Sequence, residues 1–143
     1  MKTCLNKTNE KAKKTRSSAM QEMKRKVLII DDDAISRMMM KLYLDTSFDV
    51  LEAENGSVGI DTVTSHADVS VIFLDLNMPK MDGYDFLEAL QKKYAEQPAN
   101  IYITSCSPRA EFYGNATSRG LNTNWVTGYY EKPFMMERVL QEI

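Results

Sequence analysis

Residues 27–33 read Val-Leu-Ile-Ile-Asp-Asp-Asp, an apolar run that ends directly in three carboxylates. A strand that is covered on both faces of a sheet is apolar at every position rather than at alternate ones. Residues 27–30 are therefore predicted to form a buried parallel strand. In open α/β sheets, ligands bind beyond the carboxyl ends of the strands. The acidic run thus lies where a binding site is expected.

The adjacent carboxylates of Asp31 and Asp32 would repel one another at such a strand end. Two like charges about 4 Å apart repel by about 4 kcal/mol at an effective dielectric constant of about 20. A chain that places them together needs a cation nearby, and hard oxygen ligands suit Mg2+. The sequence therefore predicts a Mg2+ site at this end of the strand.

The same pattern, an apolar strand followed by polar residues, recurs at three later points in the chain. The later strands are residues 69–74 before Asp75, 101–103 before Thr104 and 126–130 before Glu131 and Lys132. Strand ends in one parallel sheet face the same way, so carboxylates, a hydroxyl and an ammonium are expected to converge on one rim. That combination suits a metal-assisted reaction at an anionic phosphoryl group.

Four segments of the chain resemble the receiver domain of two-component response regulators. The segments are VLIIDDDAISR (27–37), VIFLDLNMPKMDG (71–83), YITS (102–105) and GYYEKPF (128–134). The resemblance spans about residues 25 to 143. The Asp-x-x-Met-Pro-x-Met-Asp-Gly motif is specific, and it stands in the family's order between an acidic pair and a Lys-Pro pair.

The fold expected from this pattern is α/β. Strands that alternate with helices predict a parallel sheet with helices on both faces. The resemblance implies a flavodoxin-like (βα)5 three-layer sandwich with strand order 2-1-3-4-5, an order for which a receiver protein is itself a standard example.

The resemblance also implies a role for each acidic residue. Asp75 is expected to be the phosphoryl acceptor and to form an acyl phosphate. Asp31, Asp32 and Asp75, with the backbone carbonyl of Asn77, are expected to hold Mg2+. Asp33 is expected to cap the following helix instead, because the metal site has room for two residues of the acidic run.

Two further site residues and a conformational switch follow from the resemblance. Thr104 is expected to donate its hydroxyl to a phosphoryl oxygen, and Lys132 to place its ammonium on another. Tyr129 matches the aromatic residue that moves together with the threonine in this family. Adjacent Tyr130 leaves the register of this strand open by one residue.

The helix expected over residues 34–44 carries apolar side chains at helical spacing, namely Ile35, Met38, Met39, Leu42 and Tyr43. In the run 38–40, core methionines and a single exposed one are expected. Pro133 is predicted to lie in the first turn of a last helix over about residues 134–143.

The segment between Thr104 and Lys132 departs from the family. It has about six positions more than compact members, and its polar breakers fall in residues 109–124. A short or displaced fourth helix and a long loop are expected there. Because this face is the family's usual output and dimer surface, any homodimer is expected to be atypical.

Charge divides the chain into two parts. Residues 1–26 hold nine Lys and Arg against two Glu, whereas residues 27–143 hold nine basic and 18 acidic residues. Residues 1–24 are therefore interpreted as a basic, disordered arm and residues 25–143 as the receiver domain. A solvated tail and a contact with nucleic acid, membrane or an acidic partner remain alternatives for the arm.

Composition excludes several other classes of protein. No apolar run approaches the about 20 residues of a membrane span, and two cysteines are too few for a disulfide framework. A cytoplasmic location is expected. No DNA-binding motif and no output domain are apparent, which predicts a single-domain regulator or a fragment without direct DNA binding.

The expected function is signalling rather than enzymatic turnover. The resemblance implies that a sensor histidine kinase or phosphotransfer protein supplies the phosphoryl group, and that an unidentified downstream protein reads the result. A receiver-like scaffold that works without phosphorylation is the alternative. An aspartyl-phosphate phosphatase is disfavoured, because such enzymes carry Asp two residues after the nucleophile, where this chain has Asn77.

Overall fold

The computed structural model describes residues 24–143, so the predicted basic arm lies outside the described residues except for Lys24. One sheet of five parallel strands has the order β2-β1-β3-β4-β5. The strands are β1 (Arg25–Ile30), β2 (Phe48–Ala53), β3 (Val69–Asp75), β4 (Asn100–Ser105) and β5 (Val126–Glu131). The helices are α1 (Ala34–Leu44), α2 (Gly56–Ser65), α3 (Gly83–Lys93), α4 (Arg109–Ser118) and α5 (Met136–Glu142). The predicted flavodoxin-like fold is confirmed.

Two apolar cores lie on the two faces of the sheet. Successive side chains of a strand point to opposite faces of the sheet. Those on one face pack under α2, α3 and α4, and those on the other pack under α1 and α5. In β1, for example, Leu28 and Ile30 enter the first core, whereas Val27 and Ile29 enter the second. All four are at most 1% exposed, which is why the run is apolar throughout.

The helix predicted over residues 34–44 is confirmed, but the expected burial of the methionine run is wrong. Helix α1 has the predicted bounds, but its buried side chains are Met40 and Leu44. The five residues that define the helical spacing are all exposed, by 39% to 66%. Two of the three consecutive methionines, Met38 and Met39, are therefore at the surface rather than one. Helical spacing identifies an apolar face without saying what covers it.

Helix α4 is not short, which corrects a second expectation. It has 10 residues, as many as α2. The loop expected after this helix is formed by residues 119–125, which include a 3-10 turn over Thr123–Trp125. This segment is fastened to α3, because Gln91 and the backbone of Asn122 form two hydrogen bonds of 2.9 Å. Polar residues read as breakers here form specific contacts.

Helix α5 begins later than expected. Met135 has an extended backbone, so the first helical residue is Met136 and Pro133 lies before the helix. The ring of Phe134 packs against that of Tyr130, with centroids 5.6 Å apart. No helix within residues 24–143 is both long and apolar enough to cross a membrane.

Candidate functional site

Three carboxylates from two strand ends meet at the carboxyl edge of the sheet. Asp31 and Asp32 follow β1 and Asp75 ends β3, and one oxygen of each lies within 4.8 Å of the others. Asp31 and Asp75 are buried, whereas Asp32 is exposed. Such a set of hard oxygen donors, open to solvent on one side, fits a Mg2+ ion that keeps several waters.

Lys132 supplies the positive charge of this pocket. Its Nζ lies 3.1 Å from Oδ2 of Asp31 and 3.7 Å from Oδ2 of Asp75. Its backbone N–H donates to the carbonyl of Ser105 at 2.7 Å, which holds the start of the β5–α5 loop against β4. Burial alone would lower the pKa of Lys132, but the charges of Asp75 and Asp31 outweigh burial and raise it. The side chain is therefore a cation throughout the physiological range.

Asp75 is the perturbed acid of the pocket. Burial raises the pKa of its carboxyl to about 6, a rise that the ammonium of Lys132 opposes and the charge of Asp31 reinforces. A carboxylate that has lost its water and faces a like charge is poorly stabilised. A cation or an electrophile placed beside it would therefore be favoured.

Thr104 lies beside Asp75 in the sheet. The two residues are direct partners in the register of β3 and β4, and Thr104 is 2% exposed. A hydroxyl at this position is available at the same sheet edge as the carboxylates. The structure thus brings Asp31, Asp32, Asp75, Thr104 and Lys132 to one edge of the sheet.

The loop after Asp75 shows why the chain reads Met-Asp-Gly before α3. The side chain of Asp82 accepts a hydrogen bond from the N–H of Asp85 at 2.8 Å, and the side chain of Asp85 accepts one from the N–H of Asp82. Gly83 donates to the carbonyl of Leu76 at 3.0 Å. A Cβ on Gly83 would lie 2.6 Å from the carbonyl oxygen of Asp75. Only glycine permits α3 to begin this close to the phosphoacceptor candidate.

Asn77 also contacts the site. Its backbone N–H approaches Oδ1 of Asp75 at 3.4 Å. A long hydrogen bond of this kind holds the carboxylate without neutralising it, and it lowers the pKa slightly against the effect of burial. Asn77 therefore belongs to the loop that surrounds the acidic pocket.

Asp33 caps α1, as predicted. Its carboxylate accepts from the N–H of Ile35 at 3.1 Å and from the hydroxyl of Ser36 at 2.8 Å. These bonds lower the pKa of Asp33 and aim the side chain along the helix. The backbone N–H of Asp33 donates to Oδ1 of Asp31 at 2.9 Å, which fixes the neighbouring carboxylate.

The two tyrosines of β5 lie on opposite faces of the sheet. Tyr129 packs against Phe112 of α4, with ring centroids 5.7 Å apart, and its hydroxyl donates to the carbonyl of Ser107 at 2.6 Å. Tyr130 is buried under α5, stacks on Tyr102, and donates its hydroxyl to Glu142. Of the two, Tyr129 adjoins the β4–α4 loop that follows Thr104.

Arg37 is a residue near the site that the sequence analysis missed. Its Nη1 donates to the backbone carbonyl of Asp31, and its Nε lies 3.2 Å from Oε1 of Glu52 on β2. The side chain is only 15% exposed. The signal that could have revealed it is an arginine within the predicted helix six positions after the first acidic residue.

An apolar groove adjoins the pocket between α1 and the β5–α5 loop. It has a volume of about 630 Å3, and its lining includes both Asp31 and Lys132. Its other walls include Ile35, Met39 and Phe134. The exposed stripe of α1 and the acidic pocket thus form one continuous surface.

The fold and the site together define a parallel five-stranded α/β domain with an acidic pocket, a buried threonine and a lysine at one sheet edge. The profile of the response regulator receiver domain matches residues 27–143. The chain therefore belongs to the response regulator receiver domain family.

Several known proteins are similar to this chain. A chemotaxis protein CheY homolog of Campylobacter jejuni strain 81-176 is 36% identical over 121 residues, which cover 82% of this chain and 87% of the relative. The chemotaxis protein CheY of Bacillus subtilis is 31% identical over 123 residues, which cover 85% and 96%.

Solved structures agree with these relatives. A CheY-like receiver domain protein from Methanospirillum hungatei superimposes with a TM-score of 0.67 at 31% identity, covering 82% of this chain and 89% of that one. The Vibrio cholerae chemotaxis protein CheY4 gives a TM-score of 0.68 at 29% identity, covering 83% and 95%. The matched region therefore spans 87% to 96% of the length of these four proteins.

Proposed function

We propose that this chain accepts a phosphoryl group on Asp75 from a phosphohistidine of a sensor histidine kinase or phosphotransfer protein, in a Mg2+-dependent reaction. The observation that carries the proposal is the convergence of Asp31, Asp32, Asp75 and Lys132 within a few ångströms at the carboxyl edge of the sheet. Family membership supports it, because receiver domains are signalling domains.

In the proposed reaction a carboxylate oxygen of Asp75 attacks the phosphorus atom. An O–P bond forms as the N–P bond to the donor histidine breaks, and the electron pair of that bond returns to the imidazole. Lys132 and the hydroxyl of Thr104 each stabilise a different phosphoryl oxygen. Asp31, Asp32, Asp75 and the backbone carbonyl of Asn77 would hold Mg2+, which would supply further neutralisation of the phosphoryl charge.

The raised pKa of Asp75 suits this role. A carboxylate with a pKa of about 6 is still mostly ionised at neutral pH, yet it is destabilised by burial. Conversion to an acyl phosphate would remove the charge of the buried carboxylate and place it on phosphoryl oxygens beside Lys132. The ground state of the nucleophile is thereby raised relative to the transition state.

The response to phosphorylation is proposed to pass through Thr104 and Tyr129. When Thr104 turns toward a phosphoryl oxygen, the β4–α4 loop moves with it. Tyr129 donates to a carbonyl of that loop, so the position of its ring and the packing of Phe112 on α4 change together. A local change in charge thus selects between two arrangements of a protein-interaction surface.

The phosphodonor partner is proposed to dock on α1 and the groove beside it. A phosphohistidine must reach Asp75 past Asp31 and Lys132, and both of those residues line the groove. Six of the seven exposed large apolar side chains of residues 24–143 are on α1 or in the β5–α5 loop. An exposed apolar patch at the entrance to a reactive site is typical of a partner surface.

Any homodimer is proposed to be atypical. None of the exposed large apolar side chains of residues 24–143 lies on α4, β5 or α5. Residues 119–125, which lengthen this face, are also tied to α3 by Arg119, whose guanidinium pairs with both Asp85 and Glu88. A symmetric dimer across α4, β5 and α5 in the phosphorylated protein would contradict this part of the proposal.

The test is labelling with a small phosphodonor. Wild-type protein and Asp75→Asn are incubated with acetyl phosphate in the presence and absence of Mg2+. Labelling that needs both Mg2+ and Asp75 supports the proposal. No labelling under any condition would favour a scaffold that works without phosphorylation, and repeated turnover of small phosphate esters would favour a phosphatase.

A further inference from the structure

Arg37 is a largely buried cation that lies behind the acidic loop rather than in the pocket. Its Nη1 donates to the backbone carbonyl of Asp31, and its Nε pairs with Glu52 at 3.2 Å. The guanidinium therefore ties α1 to the end of β1 and to β2. Planar guanidinium groups suit such tasks, because their donors point in fixed directions.

We propose that Arg37 is a positioning residue for the metal site, which holds the backbone of the acidic run so that Asp31 and Asp32 face the ion. The inference rests on the proposed Mg2+ site and adds to it a residue that touches neither metal nor substrate. Partners that orient metal ligands typically change metal affinity by 10- to 100-fold when they are removed.

The hydrogen bonds around Asp31 show why one side chain can have this effect. The N–H of Asp31 donates to the carbonyl of Ala53 at 3.1 Å, and its carbonyl accepts from Arg37. Asp33 is held on the other side, because its N–H donates to Oδ1 of Asp31. Asp32 is the exposed residue between these two anchors. Loss of Arg37 would remove the anchor on the Asp31 carbonyl and leave the Asp31–Asp32 peptide free to rotate.

The charge of Arg37 and its positioning role predict effects of opposite sign on Mg2+ affinity. A cation near the site repels Mg2+, so its removal would strengthen binding if charge alone mattered. Glu52 already offsets part of this charge through the ion pair. Positioning predicts the reverse, since ligands that are no longer held must be ordered when the ion binds.

The experiment compares Mg2+ titrations of wild-type protein, Arg37→Met and Arg37→Lys, followed by NMR shifts of the amides of the acidic run. Methionine keeps the apolar part of the side chain and removes the N–H donors, whereas lysine keeps the charge and loses the planar guanidinium. We expect about 10-fold weaker Mg2+ binding in Arg37→Met. Arg37→Lys is expected to be intermediate, and the amide of Asp33 is expected to exchange faster in both variants.

Arg119→Met is the matched control. Arg119, the residue that follows α4, also bridges two acidic side chains of α3, and neither of them belongs to the acidic pocket. A general loss of stability would affect both variants, whereas loss of positioning would weaken Mg2+ binding only in Arg37→Met. Urea unfolding of each variant ensures that the titrations report folded protein. If Arg37→Met does not fold, Arg37→Lys decides the question.

Unchanged or tighter Mg2+ binding by folded Arg37→Met, or by Arg37→Lys in its place, would overturn the inference and leave the proposed function intact. Failure of the wild-type protein to bind Mg2+ would overturn both. The two failures are thereby distinguishable in a single set of titrations.

Discussion

The ammonium nitrogen of Lys132 lies 3.7 Å from Oδ2 of Asp75, although 57 positions of the chain separate the two residues. That distance is too long for a hydrogen bond, so the two groups interact through their charges. The same nitrogen is 3.1 Å from Asp31. The ion pair with Asp31 therefore holds the ammonium of Lys132 beside the carboxylate of Asp75.

Replacement of Lys132 by methionine is expected to slow phosphorylation by acetyl phosphate by about 10- to 100-fold, because one of the charges that stabilises the transferring group is lost. The rate of labelling of Asp75 at saturating Mg2+ is the measurement. Lys92→Met is the control, since Lys92 pairs with Glu88 on the surface of α3. Equal rates for both variants would exclude a role for the Lys132 ammonium.

The pKa of Asp75 predicts how stability depends on pH without Mg2+. The folded-state pKa of about 6 lies above the ordinary value of 3.8, so the ionised form is disfavoured in the fold. The free energy of unfolding that is lost by burying the ionised carboxylate is zero at low pH, grows between about pH 4 and 6, and is largest above that range. Asp75→Asn is therefore expected to stabilise the protein by up to about 3 kcal/mol at pH 7.5, and by less at pH 4.5.

Urea unfolding at the two pH values measures this difference. Asp68→Asn provides a control of opposite sign, because the ion pair with Lys26 lowers the pKa of Asp68. Its replacement is expected to cost stability at pH 7.5 and nearly as much at pH 4.5, because the pKa of the folded carboxyl lies below 3.8 and its contribution is lost only at lower pH. A gain from Asp75→Asn that is the same at both pH values would show that the carboxyl is not perturbed in the fold.

Gly83→Ala is expected to destabilise the fold by about 1 to 3 kcal/mol, because the new Cβ would overlap the backbone of Asp75 and Leu76. The same change is expected to slow phosphorylation, since it displaces the acceptor. Thermal unfolding and the labelling rate are the measurements. Gly114→Ala is the control, because nothing lies within 4 Å of a Cβ there.

The choice between the two tyrosines of β5 can be tested directly. If Tyr129 is the moving residue, its ring resonances shift when beryllofluoride and Mg2+ are added, and those of Tyr130 change little. Tyr129→Phe removes the hydrogen bond to Ser107, worth about 1 kcal/mol, and is expected to shift the equilibrium between the two arrangements. Larger shifts at Tyr130 would show that the moving ring is on the opposite face of the sheet, under α5, and would contradict the prediction.

Much of the fold was predictable because the sequence gives two signals for a buried strand, an apolar run and the polar residues that follow it. The run from Val27 to Ile30 is apolar at every position, and the change to three carboxylates marks its end. The rank order of the strands came from the family resemblance, since periodicity alone does not specify which strands are neighbours.

The errors have physical causes. The spacing of Ile35, Met38 and Leu42 shows that α1 has an apolar face, but not that the sheet lies on its other side. Likewise the polar residues of 109–124 predict breaks in the chain, yet the backbone carbonyl of Asn122 accepts a hydrogen bond from Gln91, which lies on α3 31 positions earlier. Contacts of this kind depend on tertiary structure, and local sequence does not encode them.

In the candidate site, the residues at strand ends were predictable from the sequence. The side chain that holds the backbone of the acidic run was not. Asp31, Asp75 and Lys132 stand out as polar residues that follow apolar strands. Arg37 does not, because a charged residue on a helix surface is ordinary in sequence and becomes notable only when it contacts the carbonyl of Asp31.

Asp75 is the residue proposed to carry the phosphoryl group. The most direct measurement is mass spectrometry of protein treated with acetyl phosphate and Mg2+, with the acyl phosphate reduced by borohydride to fix its position. We predict one modification per chain, at Asp75, and none in Asp75→Asn. Modification of Asp31, Asp32 or any other residue in the wild-type protein, with Asp75 unchanged, would contradict the account.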